Sequence, residues 1–306
     1  MKKTLRIAAL FVLVITIGLF ALTGCSSTPY YKYLNTNWDK TKKETATYSY
    51  SYTKNGQEEL TGVLTTSIYP VLEKNNDFSI GGKTFSDAVG GNIYEYKLEV
   101  SNGDYLIGKV YFKSESVRVF MPVASYTERL ENSVKSTTLI EYDGNTCKAT
   151  VQTGDGAVNT FTGELQKNGQ VFDNVSLHAI ARTLNFSQSG TLSFQTPICP
   201  EGEFYVRNVA MGVTTSVTFN KAAEEGKEPD TTFSFINDGK EFGAKVLVLT
   251  INDKPAGIAQ TIYVANSTYT AGGEDAFTQP VVKIVEGNNE KGKSTYTLTS
   301  IVKVEI

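Results

Sequence analysis

Tyr48-Ser49-Tyr50-Ser51-Tyr52-Thr53-Lys54-Asn55-Gly56 carries the key to the fold. Three tyrosines alternate with small hydroxyl residues, which puts the rings on one face of a strand and the hydroxyls on the other. Asn55-Gly56 then supplies a pair that tolerates positive φ at both central positions of a tight hairpin, and a return strand follows over 60–69. The same grammar recurs downstream. Residues 93–100 lead through Asn102-Gly103 into 105–112, and 138–142 lead through Asp143-Gly144 into 146–151. Asp155-Gly156, Asn168-Gly169 and Asp238-Gly239 mark further turns, and strand-like runs continue at 191–195, 204–209, 214–219, 231–235, 244–251, 257–264, 281–285 and 295–305. This period of two predicts an all-β to α+β protein built on a large curled antiparallel sheet, half-barrel or barrel-like.

One segment departs from the period. Asp173-Asn174 offers an N-cap, and Leu177, Ile180, Ala181 and Leu184 follow at i, i+3, i+4 and i+7, an apolar stripe suited to lying on a sheet. The spacing predicts one short amphipathic helix over 174–186. Residues 221–230, acidic and poor in apolar side chains, read as a long exposed hairpin loop. If the β-rich body over 45–306 divides, the boundary falls near 165–170, ahead of the helix; one continuous sheet system is the expectation.

The chain has 306 residues, 40% hydrophobic and 20% charged, enough to bury a core without a disulfide scaffold. With one histidine and three cysteines it is poorly supplied for a structural zinc site, which takes about four such ligands. No EF-hand loop occurs. Neither metal nor cofactor is expected.

The N-terminus reads as an export signal. Lys2, Lys3 and Arg6 precede an apolar run of about 16 residues, short of the ~20 a spanning helix needs. The run closes in Leu22-Thr23-Gly24-Cys25. That tetrapeptide resembles the bacterial lipobox, and the resemblance implies a signal peptide over 1–24, diacylglyceryl transfer to the Cys25 sulfur, cleavage before it, and a lipidated tether over 25–44. Two or three acyl chains, at ~0.8 kcal/mol per buried methylene, would hold the protein on the extracytoplasmic side of the membrane, at the cell surface or in the periplasm. Loss of the leader removes three positive charges and no negative one, so the net charge moves from -3 to about -6. An acidic body does not suit nucleic acid.

Motifs of chemistry are sparse. Gly287-Asn288-Asn289-Glu290-Lys291-Gly292-Lys293-Ser294 satisfies the phosphate-loop string, yet the residues after it alternate as a strand, where a phosphate loop must open a helix. A polar hairpin turn is the better reading, and no nucleotide is expected. His178 is the only imidazole; it sits off the apolar stripe and reads as a half-exposed surface residue, with no G-x-S-x-G elbow to supply a nucleophile. No catalytic residue is assigned. Cys147 and Cys199 are left after lipidation; they either pair, closing a loop of about 53 residues worth roughly 4 kcal/mol, or stay as buried thiols. Tyr48, Tyr50 and Tyr52, with Tyr94 and Tyr96, either line a groove or pack a half-buried strand face.

Residues 171–177, entering the helix that ends Ala181-Arg182-Thr183-Leu184, and the closing stretches 277–284 and 296–300 resemble an exported bacterial family described only as domain of unknown function 3108. The resemblance spans 116–306. It implies a curled antiparallel sheet with a helix, distantly like the half-barrels of lipoprotein-carrier proteins, and brings no activity. The expected function is therefore non-enzymatic: binding of a lipid or other apolar or amphiphilic ligand, or envelope assembly. Candidate ligand contacts are Tyr48, Tyr50, Tyr52, Leu177, Ile180 and Leu184. A surface adhesion module without a pocket is the alternative, and an envelope hydrolase a remoter one that a carboxylate pair in a deep cleft would favour.

Overall fold

The computed structural model describes residues 41–72, 78–85, 90–113, 120–167, 169–184, 190–199, 203–213, 232–234, 241–251, 260–265, 269–270, 276–277, 279–288 and 292–306. Cys25 and the rest of the leader and tether before residue 41, like 214–219 and 221–230, lie outside them. The strands are β1 (Lys42–Lys54), β2 (Gln57–Pro70), β3 (Phe78–Ile80), β4 (Lys83–Phe85), β5 (Asn92–Val100), β6 (Tyr105–Lys113), β7 (Met121–Glu131), β8 (Val134–Asp143), β9 (Thr146–Thr153) and β10 (Asn159–Glu164). A 3₁₀ turn (Asn174–Ser176) runs into helix α1 (Leu177–Ala181). Then come β11 (Gly190–Ile198), β12 (Tyr205–Val213), β13 (Thr232–Ser234), β14 (Glu241–Ile251), β15 (Gln260–Ala265), β16 (Tyr269–Thr270), β17 (Ala276–Phe277), β18 (Val281–Asn288) and β19 (Gly292–Glu305).

Fifteen strands form one antiparallel sheet in the order β10-β9-β8-β7-β6-β5-β2-β1-β19-β18-β15-β14-β12-β11, with β13 beside β14. The curled antiparallel sheet expected from the period is thus present. Near its middle β1 pairs with β19, Lys42 opposite Glu305 and Thr53 opposite Lys293, which joins the first and last described strands. The decisive stretch behaves as its alternation requires: Ala46, Tyr48 and Tyr50 are buried, and Asn55 and Gly56 both adopt positive φ, 50° and 78°. The described ends of the phosphate-loop string pair as β18 and β19, Gly287 opposite Lys293 and Asn288 opposite Gly292, and β19 is a fourteen-residue strand; 289–291 lie outside the described residues.

The two free edges, β10 and β11, are tied together by the chain that links them. Leu165 N–H donates to Asn145 O, continuing the pairing of β10 with β9; Gln195 N–H donates to Gln170 O and Phe172 N–H to Gln195 O, adding a parallel rung beside β11. Side chains fill the remaining seam, where the Phe161 and Phe204 rings stack 6.0 Å apart. Gly163 permits this approach, since a Cβ there would lie 2.7 Å from the Phe204 ring. The small β3–β4 hairpin packs on the outer face, in a cluster with Ile93, Tyr111 and Ala124.

Inside the curl lies the helix. Leu177, Ile180, Ala181 and Leu184 are all buried among inward residues of β1, β2, β5, β6, β15, β18 and β19. Of the 174–186 expectation, 185–186 lie outside the described residues, and over 174–184 helix α1 is shorter than expected, for polar reasons. Asp173 draws the Val175 N–H into a cap that tightens the first turn to 3₁₀, and at the other end Gln279 donates to the carbonyls of Arg182 and Leu184. Arg182 pairs in the interior with Glu44 of β1.

Candidate functional site

The helix fills one side of the enclosed space and leaves a cleft of about 510 Å³ on the other. That volume falls within the ~300–1,000 Å³ usual for small-molecule sites. Its walls come from the inward faces of β2, β5, β6, β7 and β8, from the helix segment, and from β11, β12, β15, β18 and β19. Leu98, Leu106, Arg129 and Glu286 stand close to the β5–β6, β7–β8 and β18–β19 turns, so the cleft occupies that mouth of the curl. The Arg182–Glu44 pair stands toward the opposite end, two residues into β1.

The lining is divided by chemistry. Leu64, Leu98, Leu106, Ile140, Val175 and Leu177 are apolar, while Asp173, His178, Arg207, Gln260 and Glu286 bring polar heads. Asp173 is engaged on all sides: Oδ1 accepts from the Val175 N–H at 2.8 Å, and Oδ2 from the Ser125 and Tyr142 hydroxyls. Burial raises its carboxyl above the ordinary range, and these three donors hold part of the rise back. Glu286 is likewise raised by burial, against donation from Gln260 and from the Tyr296 hydroxyl at 3.4 Å. Tyr96 borders both carboxyls; burial first, then the charges of Asp173 and Glu286, push its phenol up. Gly108 on β6 lets that ring lie flat, because a Cβ would stand 2.4 Å from it.

His178 is a correction to the sequence reading. It faces the cleft rather than the outside, because a helix enclosed by a sheet has no solvent side. It keeps some exposure to the cavity, yet lies deep enough that burial lowers the imidazole to about 4. Its Nε2 sits 3.4 Å from Gln260 Nε2, which also donates to Glu286 Oε1, making a relay His178–Gln260–Glu286–Tyr296.

Of the expected ligand contacts, the structure places only Leu177 on the cleft wall. Ile180 and Leu184 are wholly buried in the packed core. Tyr48 and Tyr50 are core rings as well, Tyr48 donating to Val281 O at 3.1 Å and Tyr50 lying 5.0 Å from Tyr296, and Tyr52 packs against the same core. The tyrosines on the cleft are Tyr96 and Tyr296. Cys147 and Cys199 share one apolar cluster under the seam and are both free thiols. Burial pushes Cys147 to about 11 and Cys199 to about 12. Among the described residues no group of His, Cys, Asp and Glu could hold a metal ion, and no helix is long and apolar enough to cross a membrane.

What the sequence reading missed is the polar half. Ser125, Tyr142, Arg207, Gln260, Glu286 and Tyr296 come from six strands, and nothing in their local spacing announces that they converge. The one available signal was a Gln or Glu at an inward position of an apolar strand, as at Gln260 and Glu286.

No family model matches the chain, so the resemblance of its second half to an exported family is carried by short motifs alone. No curated protein matches it either. Among solved structures, it is similar to a β-barrel-like protein of domain of unknown function DUF1849 from Brucella abortus, at 7% identity and a TM-score of 0.48, over 87% of this chain and 99% of that one.

Proposed function

We propose that this chain is a lipid-anchored protein of the bacterial cell envelope that binds one amphiphilic ligand in the mouth of its curled sheet and catalyses no reaction. The observation that carries the reading is the cleft: about 510 Å³, lined by both apolar and polar side chains, beside the packed core around the helix. A module that only adhered through its surface would gain nothing from leaving such a space unfilled. The export signal and Cys25 support a ligand met outside the cytoplasm. The test is native mass spectrometry of the soluble chain from Tyr30 onward, purified without detergent, followed by solvent extraction. One apolar adduct per chain supports binding, and a clean unliganded mass opposes it.

A second reading has its own observation. Asp173 and Glu286 line the same cleft, as a hydrolase working through two carboxyl groups would need. Against it, both oxygens of Asp173 are taken by structural donors, which leaves Glu286 as the one candidate acid. A hydrolase would turn over members of a panel of aryl glycosides and esters and lose that turnover in Glu286→Gln. A binding protein gives no turnover in either form.

A further inference from the structure

Resting on the ligand-binding reading, we infer that the cleft selects an amphiphile whose head is an anionic oxyacid, a carboxylate or a phosphate monoester, and that Arg207 holds it. Arg207 stands on the inward face of β12, in register with Val209 and Met211 of the core. Its guanidinium lies 4.9 Å over the Tyr205 ring and donates to the Tyr205 hydroxyl. Its Nε is buried with no hydrogen-bond partner. No carboxylate among the described residues pairs with it, whereas Lys42, Lys43, Lys83, Lys97, Lys109, Arg129, Lys135 and Arg182 each have one.

The other charged and titratable groups facing the cleft do not supply the missing anion. Asp173 is enclosed by Ser125, Tyr142 and the Val175 N–H, and Glu286 by Gln260 and Tyr296. His178 is held neutral, and Arg129 is an exposed cation bound to Glu131. Cys199 is a thiol with a raised pKa. Arg207 is half-buried, with its Nε shut off from water, and a bound oxyanion would supply the counter-charge and a partner for that N–H through charge-assisted, two-pronged hydrogen bonds. Gln260 adds an independent sign of an absent polar partner: the residue is 9% exposed, it lines the cleft, and its Oε1 has no hydrogen-bond donor. The hydroxyl of a phosphate monoester or of a hydroxylated acid would supply one. The apolar lining residues Leu64, Leu98, Leu106 and Ile140 then take the chain of the same molecule.

The experiment is displacement of a fluorescent dansyl undecanoate from the soluble chain by dodecanoate, monododecyl phosphate, dodecanol and dodecyltrimethylammonium. At least one of the two anions is expected to bind about tenfold or more tightly than dodecanol, the size of a charged hydrogen bond, with the cation weakest. Which anion binds better separates a carboxylate from a phosphate source. Arg207→Gln is expected to abolish the preference, bringing both anions down to the dodecanol affinity of the same variant, and Arg207→Lys to restore part of it; near-UV circular dichroism confirms that both variants fold. If dodecanol binds wild type as tightly as both anions, or Arg207→Gln keeps the preference, the assignment to Arg207 is wrong while the cleft remains a ligand site. If neither dodecanol nor any ion binds, the ligand-binding reading fails, and this inference with it.

Discussion

Replacing His178 by glutamine should make the protein more resistant to acid, by an amount set by where the imidazole sits. In the unfolded chain a histidine takes a proton near pH 6.5; in the fold, burial delays this to about 4. Between those values the unfolded state binds the extra proton and the folded state does not, so stability is lost as pH falls from 6.5 through about 4. The gap is worth about 2 kcal/mol at pH 5 and about 3 kcal/mol at pH 4, from 1.36 kcal/mol per pKa unit. Asp173 and Glu286 act in the opposite sense: their carboxyls are raised in the fold, so the stability they withhold at neutral pH returns as pH falls through their folded values toward the ordinary carboxylate range. A wild-type curve alone mixes the two, whereas the difference between wild type and His178→Gln isolates the imidazole. Glutamine keeps a polar group beside Gln260 and cannot titrate. Urea titrations followed by far-UV circular dichroism at pH 7, 6, 5 and 4 give that difference. It should be flat above pH 6.5 and then grow in favour of the variant. A difference that stays flat down to pH 4 would show that His178 charges freely in the folded protein, and would refute its placement in the cleft.

Other consequences follow from the ends of the helix and from the anchor. Arg182→Met leaves Glu44 buried without its counter-charge and should cost about 3–5 kcal/mol by urea titration, while adding Glu44→Leu should recover most of the loss. The thiols of Cys147 and Cys199, at about 11 and about 12, should react slowly with a disulfide reagent at pH 8 in the native state and at once, two per chain, in denaturant, with labelling done on the chain from Tyr30 onward. In cells, Cys25→Ser should end incorporation of labelled palmitate into the full-length protein and release it from the membrane fraction.

Hairpins with a glycine were legible in the sequence. Asn55-Gly56, Asn102-Gly103 and Asp143-Gly144 each mark a turn between strands in the structure, and in each the glycine takes the positive φ, joined by Asn55 in the first. Strand β7 escaped notice for the complementary reason: its turn into β8 puts Asn132 and Ser133 at φ of 51° and 66°, and a serine there carries no sequence signal. The helix stripe was legible too, but not its setting. An apolar stripe states which face is buried and is silent on whether the opposite face meets water or the inside of a curled sheet. Buried Ser176, Arg182 and Thr183 are the residues that a helix lying on an open sheet would have left in solvent. The cleft was out of reach for a similar reason. Its polar lining residues Ser125, Arg207, Gln260 and Glu286 are brought together only by strand order and curl. Tyr48 and Tyr50 show the converse error, since rings that could line a groove were needed to fill the core against β19.

The central claim is that the cleft in the mouth of the sheet holds a ligand, and it is met most directly by comparing adducts of wild type and Thr127→Trp. Thr127 lines the cleft from β7 and is half-buried, so an indole there occupies the ligand's space without entering the packed core. Both proteins, purified without detergent and matched by circular dichroism, would be weighed by native mass spectrometry. One extractable adduct per wild-type chain and none on Thr127→Trp is the predicted result. An equal adduct on both proteins, or no adduct on wild type, would contradict the account.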